Sequence, residues 1–246
     1  MKISLITVCY NSSSTIEKTF QSVKNQSYKN LEYIVIDGGS TDGTLRIIQK
    51  FKPYILKFIS EKDQGLYDAM NKGISLASGD LIGILNSDDI FFNNNVLEDI
   101  VKFHSLNNVD ASIGNILQYN KYGKKVRTYT SKNWNPNKLK IGFMPPHPSI
   151  FFKRELFEKF GNYHLDYISG ADYELITRFF LKKKISWKFS NIITTKMLIG
   201  GISSSGISSY LIIYNEICRA LSTNGIKFNR FKVFFRAFWK FFGFFK

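Results

Sequence analysis

The strongest constraint on this chain lies in its first hundred residues, where apolar runs and helix-periodic segments take turns. The run "ISLITVCY" (3–10) is a continuous apolar stretch, as expected for a strand covered on both faces. Ser14-x-x-Glu17 fits a capping box opening a helix, with Ile16, Phe20 and Val23 on one face. A second strand, "LEYIVI" (31–36), runs into "DGGSTDG", and "TLRIIQKF" is a short helix. A third strand at 54–60 precedes a helix at 66–78, which places Leu66, Met70, Ile74 and Ala77 on one face. The fourth strand, "DLIGIL" (80–85), delivers Asn86–Asp89. Strand–helix alternation of this kind predicts an α/β chain with a parallel sheet and helices on both faces.

Beyond that point the pattern changes. "ASIGNILQYN" and "KKVRTYT" read as antiparallel strands around "KYG", and residues 131–148 as a proline-rich loop. "SIFFKR" resumes a strand, helices are expected at 154–160 and 171–184, and "ISWKFS" and "IITTKMLIGG" are extended. "GGISSSGISS" reads as a flexible stretch, with helices at 208–223 and from about 228. At 246 residues the chain has room for one large α/β domain or two small ones. No internal repeat is visible.

The net charge is +15, from 34 basic against 19 acidic residues. Such a balance points to anionic partners, whether nucleic acid, phosphorylated substrates or an anionic membrane, without choosing among them. The two cysteines, Cys9 and Cys218, match no zinc spacing and read as reduced thiols of a cytosolic compartment. The N-terminal apolar run is at the short end for a signal sequence and lacks a small-residue cleavage site. No run of ~18 apolar residues predicts a transmembrane helix.

In an open α/β sheet, ligands bind outside the carboxyl ends of the strands. Here the first strand ends in Thr7, Cys9, Tyr10 and Asn11, the second in Asp37, and the fourth in Asp88 and Asp89. A carboxylate at a strand end can accept a base N–H or a ribose hydroxyl. An adjacent pair can hold Mg²⁺ or Mn²⁺, which take oxygen ligands and bridge to phosphates. Any one of these aspartates alone would be an ordinary turn or cap residue; their recurrence at one sheet edge is what points to a site. A dinucleotide fold would need G-x-G-x-x-G where the chain has "YNSSST", and the G-K-[ST] of a P-loop is absent. An aspartyl-phosphate phosphatase would want a second aspartate where Gly39 stands.

Three ordered blocks carry a family resemblance: "ISLITVCYNSSSTIEKTFQSVKNQSYKNLEYIVIDGGSTDGT", "DQGLYDAMNKGISLASGDLIGILNSDD" and "HPSIFFKRELFEKFGNYHLDYISGADYEL". Over about residues 3–190 they resemble the family 2 glycosyltransferases of bacterial surface-polysaccharide type. The resemblance implies a GT-A fold, with a mostly parallel Rossmann-like central sheet, flanking helices, a small antiparallel acceptor-side region and a C-terminal amphipathic helix. It implies an inverting, metal-dependent transfer from a nucleotide-diphosphate sugar, with UDP-sugar as the expected donor class, to a hydroxyl of a glycan or polyprenyl-linked acceptor. It divides the chain into a nucleotide-sugar half (1–105), an acceptor-side half (106–205) and a C-terminal helical segment (206–246).

Carried over residue by residue, Asp37 binds the base, and Thr7, Cys9, Tyr10 and Asn11 line the nucleotide. Asp88 reaches the ribose or the metal, Asp89 ligates the Mg²⁺ or Mn²⁺, and Asp63, Asp68, Asn71 and Lys72 border the nucleotide and donor sugar. The family's D-x-D motif has Ser87 or Asn86 at its first position here. Asp172 in "GADYEL" is the implied general base, although an aspartate in the first turn of a helix is also what the helix dipole favours. For His147 two readings stand: a contact to the acceptor, the diphosphate or the metal, and a loop histidine bonded to backbone. Trp134, Met144 and Tyr163 fit core packing better than stacking on a sugar.

The last residues, 228–246, repeat Phe231, Phe234, Phe235, Phe238, Phe242 and Phe245 at helical spacing. Lys232, Arg236 and Lys240 fall on another face, and no acid occurs. This pattern predicts an amphipathic helix on an anionic membrane surface, hence a cytoplasmic protein peripheral at the inner face of the cell membrane. A nucleic-acid platform would interleave rings and charges, so nucleic acid is not an expected partner. A nucleotidyltransferase would need a Gly-rich basic loop after the first strand, which is missing. A non-catalytic binding protein of the same fold is the other alternative, but the candidate acids Asp37, Asp88, Asp89 and Asp172 are all present.

Overall fold

The continuous apolar runs become the central strands, and their composition follows from being covered twice. The structure, a computed structural model, describes residues 1–120, 122–199 and 206–236. These form two compact units. The first comprises Met1–Lys132, Pro146–Asn162 and Ser186–Ile199; the second comprises Asn133–Pro145, Tyr163–Ile185 and the described residues from 206 onward.

The first unit holds strands β1 (Ile3–Cys9), β2 (Leu31–Asp37), β3 (Lys57–Ser60), β4 (Leu81–Ile84), β5 (Ile90–Phe91), β6 (Ala111–Tyr119), β7 (Lys125–Tyr129), β8 (Ile150–Lys153) and β9 (Trp187–Leu198). Its helices are α1 (Ile16–Lys24), α2 (Thr44–Phe51), α3 (Leu66–Leu76), α4 (Val96–Leu106) and α5 (Glu155–Phe160). The sheet order is β3-β2-β1-β4-β8-β6-β9-β5, with β7 on β6. β1 pairs parallel with β2 and β4, β2 with β3, and β6 with β9. β8 joins β4 to β6 antiparallel, and β7 adds the expected antiparallel hairpin to β6.

Every residue of β1 is buried. Ile3 and Leu5 pack into a core with Ile16 and Phe20 of α1, Ile48 of α2, and Leu97 and Ile100 of α4. The opposite face receives α3, where Gly73 lies against Ile6. Burial of one such Phe or Ile side chain stabilises by roughly 1.5–3 kcal/mol, which is why the runs tolerate few polar residues.

Several expectations shift. The Ser14–Glu17 capping box does not form: α1 starts at Ile16 with no side-chain cap, and the Ser12 carbonyl accepts the Thr15 and Ile16 N–H groups instead. The third strand is shorter than expected, because a 3₁₀ turn at Lys52–Tyr54 takes its first residue. The two extended segments after 185 are one strand, β9. Helix α4 was not anticipated, although its buried Val96, Leu97, Ile100 and His104 lie at helical spacing.

The second unit contains α6 (Ala171–Thr177), extended by a π-helical turn at Arg178–Lys182, then α7 (Gly206–Thr223) and α8 (Arg230–Phe234). The expected tail helix is short where it is described. Phe231, Phe234 and Phe235 are exposed as anticipated, but Arg236 turns inward, where it is buried and donates to the Gly142 carbonyl at 3.3 Å. It therefore leaves the cationic row with Lys232. Phe238, Lys240, Phe242 and Phe245 lie outside the described residues. Among the described residues no helix is long and apolar enough to cross a membrane.

Candidate functional site

Parallel register brings the strand ends together in the first unit. Cys9 of β1 lies opposite Asp37 of β2, and Asp37 opposite Ser60 of β3. β4 continues into Leu85, whose N–H donates to the Ile6 carbonyl of β1. The loops that follow are tied to one another: the Ser12 and Ser87 hydroxyls lie 2.9 Å apart. Asn11 adopts a left-handed φ of 48°, its side-chain oxygen accepts from Thr41 N–H and its own N–H donates to Ser40.

Within this edge the expected residues divide by accessibility. Thr7 is fully buried, and its hydroxyl accepts from Tyr33 at 2.9 Å. It faces the core that Tyr33 shares with α1 and α2. Cys9 is also buried and donates to Ile36 O and Asp37 Oδ1, both at 3.6 Å. Burial, reinforced by the Asp37 charge, pushes its thiol far up, so it remains protonated. Tyr10 is 63% exposed and Asn11 is exposed; these two line the open face.

Asp37 is fully buried. Its Oδ2 accepts from Gly39 N–H, Ser40 N–H and Ser60 Oγ, and its Oδ1 from Ser40 Oγ. The carboxylate is thus committed to holding the turn after β2 against β3, and a base N–H reaching it would have to displace one of these donors. Asp63 lies directly over the next residue. A Cβ at Gly38 would come within 2.4 Å of Asp63 Oδ2, so glycine is what lets that partly exposed carboxylate sit here. Asp68 accepts from Gln64 N–H at 3.0 Å. Lys72 pairs with Glu61 at 2.8 Å and Asp68 at 3.3 Å, contacts that raise its pKa. Asn71 is partly exposed on the same helix.

The acid pair sits in a turn closed by Asp89 N–H donating to Asn86 O. Thr19 of α1 holds this turn by donating to the carbonyls of Ser87 and Asp89 at 3.0 and 2.8 Å. Asp88 is partly exposed and Asp89 is buried. Burial raises both carboxyls, and the Asp88 charge raises Asp89 further. Asp89 Oδ1 and Asn86 Oδ1 are buried without a hydrogen-bond partner among the described residues. An all-oxygen set of this kind, short of donors, suits a hard divalent cation. No group of three His, Cys, Asp or Glu that could hold a metal occurs among the described residues. The protein would then supply two carboxylates, leaving the remaining positions to phosphate and water.

One neighbour escaped the sequence reading. Burial raises the Tyr119 hydroxyl, and the charges of Asp89 and Asp88 raise it further, which puts the end of β6 within electrostatic reach of the pair. No local pattern marks Tyr119; only the sheet pairing brings it there. His147 begins a 3₁₀ turn, and desolvation pulls its imidazole down to about 4, leaving it neutral at pH 7.

In the second unit, Asp172 is the second residue of α6 and partly exposed between buried Ala171 and Tyr173. Its Oδ1 accepts from Tyr173 N–H at 2.7 Å. Buried Tyr163 has its hydroxyl pushed well up by desolvation and by the Asp172 charge. Trp134 is core: its indole donates to Phe143 O, and its ring meets Phe180 edge-on at 5.3 Å.

Residues 4–169 match the family described as Glycosyl transferase family 2. A glycosyltransferase of Mycobacterium tuberculosis, described as uncharacterized, is 34% identical over 181 residues, covering 72% of this chain and 68% of that protein. A PGL/p-HBAD biosynthesis glycosyltransferase of Mycobacterium bovis is 27% identical over 210 residues, 82% of this chain and 79% of its own. Among solved structures, TarS 1-349 of S. aureus in complex with UDP-GlcNAc has a TM-score of 0.70 at 19% identity, over 88% of this chain. This chain spans only 66% of the length of that one. Mannosyltransferase PcManGT from Pyrobaculum calidifontis, in complex with GDP-Man and Mn²⁺, has a TM-score of 0.68 at 18% identity, over 95% of this chain and 68% of its own. The structural likeness speaks for the fold, and the match over residues 4–169 for the family: the chain is a glycosyltransferase of family 2 with the GT-A fold.

Proposed function

We propose that the protein transfers a sugar, with inversion, from a UDP-sugar to a hydroxyl of a glycan or lipid-linked acceptor in polysaccharide biosynthesis. The observation that carries this reading is the acid pair in the turn after β4, where Asp89 Oδ1 and the neighbouring Asn86 Oδ1 are buried without donors among the described residues. Residues 1–105 form the donor half, 106–205 the acceptor half, and 206–246 the segment that meets the membrane.

Tyr10 offers an exposed ring to the nucleotide, and Asn11 and Asp63 offer polar atoms beside it. Asp37 keeps the turn that frames them. Asp88 and Asp89 hold Mg²⁺ or Mn²⁺, which when bound supplies a Lewis acid for the diphosphate leaving group. Lys72 and Asn71 border the donor sugar, with Asp68 fixing the lysine. Neutral His147 is a further polar contact for acceptor or diphosphate. Asp172 takes the proton from the acceptor hydroxyl as its oxygen attacks the anomeric carbon. The bond to UDP breaks on the opposite face, so the configuration inverts. General-base help of this kind is typically worth ~10²–10⁴-fold.

UDP release from a panel of UDP-sugars, with and without EDTA, tests this reading. Asp172→Asn is expected to lower kcat by roughly 10²–10⁴-fold while donor KM changes little. Asp88→Ala and Asp89→Ala are expected to abolish activation by Mn²⁺. Full activity in these variants would remove the proposed site, and pyrophosphate instead of UDP as product would identify a nucleotidyl transfer.

A further inference from the structure

The loop that leads into Asp172 is not held by burial of its own side chains. Leu165 and Ile168 are 48% and 75% exposed, and Asp166 is exposed as well. Tyr167 alone of these four is buried. What fixes the loop comes from α7. Glu216 is 8% exposed, and its two carboxylate oxygens accept the successive backbone N–H groups of Ile168 (2.5 Å) and Ser169 (2.9 Å). The next residue, Gly170, caps α6, and a Cβ there would come within 3.0 Å of Glu216 Cβ and Oε2. Three residues on along α7, Arg219 donates to the Asp166 carbonyl at 3.0 Å, pairs with its carboxylate, and stacks over the Tyr167 ring at 4.6 Å. One turn further, Asn224 donates to Glu174 Oε1 at 3.0 Å.

We infer that Glu216 is a positioning residue: its carboxylate grips residues 168–170 and thereby sets where α6 begins and where Asp172 stands. The inference rests on the reading of Asp172 as general base. A carboxylate bonded to two consecutive N–H groups fixes both the direction and the plane of the chain, and such charge-assisted bonds are the strong ones. Only two residues separate Ser169 from Asp172, the first packed on Glu216 and the second buried. A loosened grip is therefore passed on to Asp172. Misplacing a reacting group by about 1 Å can cost ~10²-fold. Glu216 also lies outside the span that matches the family, 4–169, so no motif of the first two hundred residues announces it.

The test uses the full chain with Glu216→Ala, Glu216→Gln, Asp172→Asn and the double variant Glu216→Ala/Asp172→Asn. UDP released from UDP-GlcNAc, UDP-glucose or UDP-galactose gives kcat and donor KM. Amide exchange at Ile168 and Ser169 needs no substrate. Glu216→Ala is expected to lower kcat roughly 10- to 100-fold with donor KM within about twofold, and to speed exchange at both amides at least about tenfold while β1–β4 stay protected. In the Asp172→Asn background the same change is expected to cost less than about threefold, because the group it positions is already gone. Glu216→Gln keeps the shape, turns an amide NH₂ toward a backbone N–H, and is expected to show the same pattern more weakly, which covers a Glu216→Ala protein that does not fold. Equal losses in both backgrounds, an unchanged kcat, or unchanged exchange at Ile168 and Ser169 would overturn the inference. If Asp172→Asn alone keeps full activity, the base assignment fails, and the exchange data still report whether the grip exists.

Discussion

At the scale of single residues, burial decides more than residue type. Three aspartates sit at strand or helix ends, yet Asp37 is saturated by donors, Asp89 is buried with an unmatched oxygen, and Asp172 is partly exposed. His104 on α4 shows the same effect away from the site. Burial first, and the Lys153 charge second, lower its imidazole to about 4. Between pH 6.5 and 4 the unfolded chain binds a proton there that the folded chain does not, so stability falls as pH falls through that window. The loss from this group alone should approach roughly 3 kcal/mol in urea melts compared at pH 7 and 4; because His147 is lowered over the same window, His104→Leu should remove about half of the slope that the two histidines contribute. Below that, Glu32 takes over. Burial would raise its carboxyl, but bonds from Ser4, Ser78 and Lys57 hold it well below the usual range, so its contribution is lost only under strong acid. A slope unchanged in His104→Leu would refute the assignment.

At the scale of elements, the C-terminal helices are where an amphipathic pattern and its tertiary use differ. The sequence places cations and rings on opposite faces, but Val233 of α8 and Arg236 just beyond it turn inward, while Phe231, Phe234 and Phe235 stay outside beside Lys227, Arg230 and Lys232. α7 adds exposed Leu211 and Ile212. Tyr214 and Phe234 meet edge-on at 5.5 Å, joining the two helices. Interleaved rings and cations no longer separate an anionic membrane from nucleic acid by pattern; for the proposed membrane contact, each cation near such a surface adds ~1 kcal/mol. Flotation with vesicles containing phosphatidylglycerol should recover the protein, and Phe231→Ser with Phe235→Ser should reduce recovery several-fold without changing UDP-sugar turnover in solution. Equal recovery with neutral vesicles would show that the cations play no part.

At the scale of the whole molecule, nucleotide and cation should stabilise the folded chain by mass action. At about 100 times Kd the gain is ~2.7 kcal/mol, or roughly 5–10 °C in Tm for a chain of this size. UDP with Mn²⁺ should therefore raise Tm by several degrees, GDP with Mn²⁺ by less, and UDP with EDTA by least. A larger shift with GDP would replace the proposed base.

Much of this was legible in the chain. Apolar runs at 3–10, 31–36 and 80–85 announced strands because both faces of those strands are covered, and covering admits few polar residues, each of them hydrogen-bonded as Ser4 and Glu32 are. The "NSDD" turn was legible for the opposite reason: two adjacent carboxylates are costly unless something positive joins them. The burial of Thr7 was not legible, because a strand end read from sequence does not show which of its side chains face the helix layer. Tyr119 and Glu216 were invisible because their importance lies in pairings across 30 and more residues, which leave no local periodicity. The sequence by itself determined the alternating layers, the acidic strand ends and the family. Only the tertiary structure decided which carboxylates are saturated, which keep an oxygen unmatched, and which distant side chain holds the loop before Asp172, since those depend on what the fold places around each group.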